Sequence, residues 1–168
     1  MSSCLVVMGV SGVGKSTVSA LLAEELGWIL AEGDSFHPAE NIAKMAAGTP
    51  LTDTDRRPWL AALRDWISEQ SEAGRNAVVT CSALKRSYRD ILRQADADVR
   101  FVHLSAASEE VGPRLAERTG HFMPTSLLES QYAALEPLGD DEPGASVHAI
   151  GTPEEITERT VKELGLPA

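Results

Sequence analysis

Near the N-terminus stands a run whose residue types and spacing suit it to hold a polyphosphate: Gly9-Val10-Ser11-Gly12-Val13-Gly14-Lys15-Ser16-Thr17. It is a complete phosphate-binding loop: Gly, four residues, Gly, Lys, Ser. The glycines let the backbone turn tightly and aim its N–H groups at an anion. Lys15 can reach the β- and γ-phosphates, and the Ser16 hydroxyl can ligate Mg²⁺. The competing reading is a Gly-rich turn with a surface lysine. The full-length match, set between an apolar strand pattern (Cys4–Met8) and a helix pattern, favours a site for a nucleoside triphosphate.

Phosphoryl transfer to an alcohol needs three more things: a carboxylate near the acceptor hydroxyl, positive charge on the moving phosphoryl group, and exclusion of water. Asp34 follows the second strand pattern and can take the hydroxyl proton; its competing reading is a turn or cap aspartate. His37 can bond substrate or simply serve its turn. Arg114 and Arg118 lie one helical turn apart ahead of Gly120, as a closing lid would place them; a solvated basic face is the alternative. Lys85, Arg86 and Arg89 can hold substrate or merely solvate a helix. Many phosphate-loop enzymes end their third strand in an Asp that supports the metal. Here that place reads Thr80-Cys81-Ser82. Ser16, the phosphates and waters must then hold Mg²⁺, with Asp34 behind them.

These residues hang on alternating strand and helix patterns. Strands are expected at Cys4–Met8, Trp28–Ala31, Ala77–Cys81, Val99–Leu104 and Ser146–Ile150. Helices are expected near Lys15–Leu26, Ala39–Ala47, from Asp53 or Asp55 as cap, Arg86–Gln94, Ser108–Arg118, and up to about Leu135. Pro58 requires the third of these to start close to it. Its stripe of Trp59, Leu60, Leu63, Trp66 and Ile67 reads as core. Residues Pro137–Ala145, rich in Pro, Gly and Asp, read as an exposed loop. Thr152, Pro153 and Glu155 form a capping box for the last helix. The fold class is α/β, a three-layer α/β/α domain with a five-stranded parallel sheet, in which ligands sit at the carboxyl ends of the strands. One domain spans 1–168, with substrate-binding helices about 38–72 and a lid about 114–126.

A chain of 168 residues with 43% hydrophobic residues can bury a real core. The net charge of -10 argues against nucleic acid or an acidic membrane surface as partner. A small anion must instead meet locally gathered basic residues, Arg56 and Arg57 among them. The two cysteines, Cys4 and Cys81, read as small buried strand residues. The four histidines lack zinc-ligand spacing, and the N-terminal apolar run lacks a signal peptide's basic flank. The expected location is the cytoplasm.

Four stretches resemble the gluconokinase family, small phosphate-loop kinases of D-gluconate: GVSGVGKST at 9–17, EGDSFHPAENIAKMAAGTPLTDTDRRPWL at 32–60, CSALKRSYRDILR at 81–93 and RTGHFMPTSLLESQYAALEPL at 118–138. The resemblance implies ATP-dependent phosphorylation of gluconate at its 6-hydroxyl, feeding the pentose phosphate or Entner–Doudoroff route. It implies a fold like shikimate and nucleoside monophosphate kinases, with a lid and often a homodimer. By position, Gly9–Thr17 would bind the ATP phosphates and Asp34 would face the hydroxyl. Arg56 would hold the substrate carboxylate, with Arg57 and then Lys85, Arg86 and Arg89 as substitutes. Ser82 and Gln131 would line the sugar-acid site, and Arg118 and His121 would belong to the lid. The adenine would lie near Arg114 and the Gly151-Thr152-Pro153 turn. Two other functions compete: a kinase of another hydroxy acid such as shikimate, and a nucleotide-dependent binding protein without turnover.

Overall fold

The computed structural model describes residues 1–107 and 125–167. The first strand, β1 (Ser3–Met8), is the middle of the sheet. A central parallel strand is covered on both faces, so Cys4–Met8 is continuously apolar and fully buried. On its flanks run β3 (Ala77–Thr80) and β4 (Asp98–Ser105); β2 (Ile29–Glu32) and β5 (Gly144–His148) form the edges. The order is β2-β3-β1-β4-β5, and every pairing is parallel, with Leu5 opposite Val78 on one side and Arg100 on the other. The expected five-stranded parallel sheet is the one that forms.

Successive strand side chains point to opposite faces. Leu5 and Val7 enter one core, built with α1 (Lys15–Leu26), α5 (Thr125–Ala134) and α6 (Pro153–Leu164) through Val18, Leu22, Leu128 and Ile156. Cys4, Val6 and Met8 enter the other, built with α3 (Asp53–Glu72) and α4 (Arg86–Arg93) through Trp59, Leu60, Leu63, Tyr88 and Leu92. The remaining helix, α2 (Ala39–Ala46), lies beside the cleft described below. Burial pushes the Cys4 and Cys81 thiols up to about 12, so both act as inert packing groups. No helix among the described residues is long and apolar enough to cross a membrane.

Two glycines are dictated by close approach. A Cβ on Gly9 would stand 2.7 Å from the Leu104 carbonyl oxygen, at a φ of +145°. A Cβ on Gly33 would stand 1.9 Å from the Thr80 carbonyl oxygen, where the ends of β2 and β3 converge. Both glycines lie where strand ends meet the site.

Several local expectations are corrected. Neither Asp53 nor Asp55 is the cap of α3: Thr52 is, and Asp55 closes the capping box from the third helical position. The helix therefore begins five residues before Pro58 and carries the proline inside it. Strand β5 begins at Gly144, two residues earlier than Ser146, and ends at His148. Gly144 abuts Phe101 so closely that a Cβ would lie 1.9 Å from its oxygen, and Ile150 is left outside the strand and half-exposed. The capping box of α6 forms as expected from Thr152, Pro153 and Glu155. The expected helix at Ser108–Arg118, with the turn after it, lies outside the described residues.

The stretch Pro137–Ala145 is not simply an exposed loop. Its Glu142 is buried against Arg89, with side chains 1% and 0% exposed. The pair is bidentate, Nε to Oε2 at 2.6 Å and Nη2 to Oε1 at 2.9 Å. Arg89 also donates to the carbonyls of Ala83, Leu84 and Pro137. So Arg89 neither holds substrate nor solvates α4; it fastens the loop to the end of β3. Arg89→Ala strands a buried carboxylate and should cost about 3–5 kcal/mol of stability in urea unfolding. Replacing both partners with apolar residues should cost clearly less.

Candidate active site

The loop after β1 turns back to start α1, whose N-cap is Gly14 in the left-handed region, with no side-chain cap. A helix N-terminus with no side-chain cap suits an anion. Lys15 reaches over the loop, its Nζ donating to the carbonyls of Gly9 (2.8 Å) and Val10 (3.1 Å). Gln131 of α5 grips the loop from above. Its Oε1 accepts from the Ser11 N–H at 2.8 Å, and its Nε2 donates to Ser11 Oγ at 3.2 Å.

The place where an acidic residue is missing from β3 is served from β2. Glu32 Oε2 accepts from Ser16 Oγ (3.1 Å) and from Thr80 Oγ1 (2.7 Å). Thr80 Oγ1 in turn accepts from the Gly33 N–H at 3.0 Å. Sequence reasoning did not place Glu32 among the site residues. The available signal was an acidic residue at a strand end two positions before Asp34. Ser16 and Glu32 are oxygen donors of the kind Mg²⁺ prefers, and two such groups with waters and phosphates suit it.

A cleft opens beside the loop. Its lining brings together Ser11, Lys15, Asp34, His37, Arg56, Ser82 and Gln131 with apolar walls from Met45, Leu51, Trp59 and Leu84. Asp34 sits in a 3-10 turn (Gly33–Phe36) with its side chain 89% exposed; it caps neither that turn nor α2. His37 stacks on Trp59, ring centroids 4.1 Å apart, and its Nε2 lies 3.9 Å from Asp34 Oδ1. Trp59 is therefore both core and a wall of the cleft. Ser82 lies next to Ala83, whose φ of 43° is rare for a residue with a side chain. The turn aims the chain after β3 into the site.

Arg56 lines the cleft while Arg57 is exposed to solvent. The Arg56 Nη1 donates to the Leu51 carbonyl at 2.6 Å and to Tyr88 Oη at 3.2 Å, and its guanidinium lies 5.3 Å from the Tyr88 ring centre. Neutral groups hold it, so its charge remains available to an anion. Three neighbouring basic residues are instead matched to carboxylates. Lys85 pairs with Asp53 at 3.0 Å and is not part of the cleft's lining, contrary to expectation. Lys44 pairs with Asp55, and Arg86 with Asp141. The Tyr88 hydroxyl and Lys85 hold the Asp53 carboxyl below its ordinary range.

A second cleft lies on the far side of the loop, lined by Gly12, Gly14, Thr17, Gly151, Pro153 and Ile156. Gly151 and Pro153, expected beside the adenine, line it together with Thr17 of the phosphate loop. Thr152 is not among the lining residues; its hydroxyl is used in capping α6. Arg114, Arg118 and His121 lie outside the described residues.

A phosphate loop at the end of the central strand, in a parallel sheet ordered 2-3-1-4-5 with an acceptor cleft beside it, defines a phosphate-loop kinase. A family model described as an AAA domain matches residues 5–138. The gluconokinase of Gluconobacter oxydans (strain 621H) is 54% identical over 158 residues, 94% of this chain and 89% of that protein. The crystal structure of a gluconokinase from Sinorhizobium meliloti 1021 matches with a TM-score of 0.88 at 43% identity, covering 97% of this chain and 91% of the other. An unliganded sugar kinase from Janibacter sp. HTCC2649 matches at 0.95 and 47% identity, covering 99% and 96%. The chain belongs to the gluconokinase family, and it is an enzyme.

Burial lowers the pKa of His37 and of His103 below the ordinary 6.5; Arg56 adds to this at His37, where Asp34 opposes it, and Arg89 adds to it at His103. Both rings are neutral when folded, while the unfolded chain takes up protons first. Stability is therefore full above about pH 6.5 and falls as pH drops through that value toward the folded-state pKa values. Urea unfolding measured between about pH 8 and 5 should show this loss, and it should shrink in a His37→Gln/His103→Gln variant.

Proposed function

We propose that the protein transfers the γ-phosphoryl group of ATP to the 6-hydroxyl of D-gluconate, giving 6-phosphogluconate for the pentose phosphate or Entner–Doudoroff route. One observation carries the reading: a single cleft joins Lys15 of the phosphate loop and Asp34 with Arg56, a cation held by neutral groups. The names of the relatives support the substrate.

The residues divide the work. The loop N–H groups and Lys15 hold the β- and γ-phosphates. Asp34 orients the hydroxyl and takes its proton as the oxygen attacks phosphorus. Arg56 fixes the far end by its fork on the carboxylate. Ser16, with Glu32 behind it, would hold Mg²⁺, which when bound neutralises charge on the phosphates. Arg118 and Arg114 in a lid (114–126), with His121, would add positive charge and exclude water once substrate is in place. The single domain is expected to work in the cytoplasm, as a monomer or homodimer.

A coupled ADP assay with D-gluconate, shikimate, glucitol and related acceptors tests the substrate. Gluconate should be strongly preferred, and Asp34→Asn should lower kcat by roughly 10²–10⁴-fold with folding intact. If gluconate gives only background while another acid is phosphorylated, the substrate assignment is wrong. Arg56→Ala should raise KM for gluconate most and reduce its advantage over neutral glucitol by about 2–5 kcal/mol. An unchanged preference would place carboxylate recognition elsewhere.

A further inference from the structure

The one buried residue of α2 is polar: Asn41, 3% exposed. Its amide must find partners. The Nδ2 lies 2.9 Å from the backbone oxygen of Asp55 and 3.1 Å from Nδ1 of His37. A peptide carbonyl can only accept, so the atom facing it is the amide NH₂. That group can only donate, so Nδ1 of His37 accepts through its lone pair. A neutral imidazole carries one proton, and here it must sit on Nε2. A half-turn of the ring would face Asn41 with a C–H and lose the bond. Trp59, stacked at 18°, holds the ring plane, and Trp59 is itself pinned by Nε1 donating to the Gly33 carbonyl at 2.7 Å.

Nε2 lies 3.9 Å from Asp34 Oδ1, too far for a direct hydrogen bond. A hydroxyl oxygen about 2.8 Å from each atom fits between them. We propose that Asn41 is a positioning residue that fixes His37 as the Nε2–H tautomer, so that His37 donates to the acceptor hydroxyl while Asp34 alone accepts its proton. This rests on the reading of Asp34 as the group facing that hydroxyl. The oxygen then has one lone pair tied to His37 and the other left for phosphorus. With the opposite tautomer, two acceptors would compete for one proton and the oxygen's lone pairs would be unoriented. Burial keeps His37 neutral, as the scheme requires.

The test reads the tautomer directly. Long-range ¹H–¹⁵N correlation spectra of the whole ¹⁵N-labelled protein, near pH 7.5 and without substrate, should show His37 with a bare Nδ1 and a protonated Nε2. His37→Gln assigns the signals. An Nδ1–H pattern overturns the inference. In Asn41→Ala the His37 signals should become those of mixed tautomers, and kcat with gluconate should fall about tenfold while KM moves less than about twofold. Unchanged signals and unchanged kcat would overturn the positioning role. Should that variant fail to fold, two others decide. His37→Gln retains a donor near Nε2 and should stay within about fivefold of wild-type kcat, whereas His37→Leu should lose about 10²-fold. Equal losses in both would overturn the donor role. The tautomer is read without substrate, so failure of the gluconate assignment, seen as no ADP from gluconate in the wild type, is distinguishable from failure of this inference.

Discussion

One carboxylate ties two strand ends to the start of a helix. Glu32, at the end of β2, accepts from Ser16 at the start of α1 and from Thr80 at the end of β3. A hydroxyl can donate and accept at once, and Thr80 does both, receiving the Gly33 N–H while giving its proton to Glu32. The arrangement demands that β2 and β3 come closer than any side chain on residue 33 would permit. The positions of the phosphate loop, Asp34 and Trp59 all follow, because Trp59 bonds to the same glycine's carbonyl. A shift of β2 by one residue would turn Glu32 to the other face and separate Asp34 from the loop.

The handling of charge is the second constraint. The chain is acidic, with a net charge of -10, yet its cleft suits an anion. Fields between exposed charges fade beyond about 10 Å in salt, so only nearby groups decide. Lys44, Lys85, Arg86 and Arg89 are each matched to a carboxylate. Arg56 makes no ion pair among the described residues and is oriented by a carbonyl and a phenol. A cation positioned by neutral groups keeps its full charge for a ligand, whereas one positioned by a carboxylate has already spent it. Tyr88 belongs to this arrangement twice over, as hydrogen-bond partner of Arg56 and Asp53 and as a ring beneath Arg56 and Lys85.

Much of this was legible in the sequence, and the legible parts share a property. The phosphate loop, the apolar β1 run, the strand–helix alternation and the capping box of α6 are all local patterns. Their physics acts within a few residues: turn geometry, peptide orientation, period and cap. Even the error at α3 was local, since Thr52 and Asp55 spell a capping box that the nearby Asp53 obscured.

What only the tertiary structure decided was which polar groups meet. Arg89 finds Glu142 across 53 residues, Thr80 finds Glu32 across 48, and Ser11 finds Gln131 across 120. Nothing in the local pattern of a basic helix distinguishes the buried Arg89 from the cleft-facing hope placed on Lys85. Nor does a Pro- and Asp-rich stretch announce that one of its acids is interior. The sequence by itself determined that a phosphate loop would follow the first strand of a parallel sheet and open a helix, because those signals lie within one strand, one turn and one helix; that this strand is the central one came from the sheet order. The tertiary structure determined that Arg56 is held by neutral groups, that Glu32 stands behind Ser16 and that Asn41 faces Nδ1 of His37. Each depends on partners that only the closing of the sheet and the packing of its helices bring within hydrogen-bond distance.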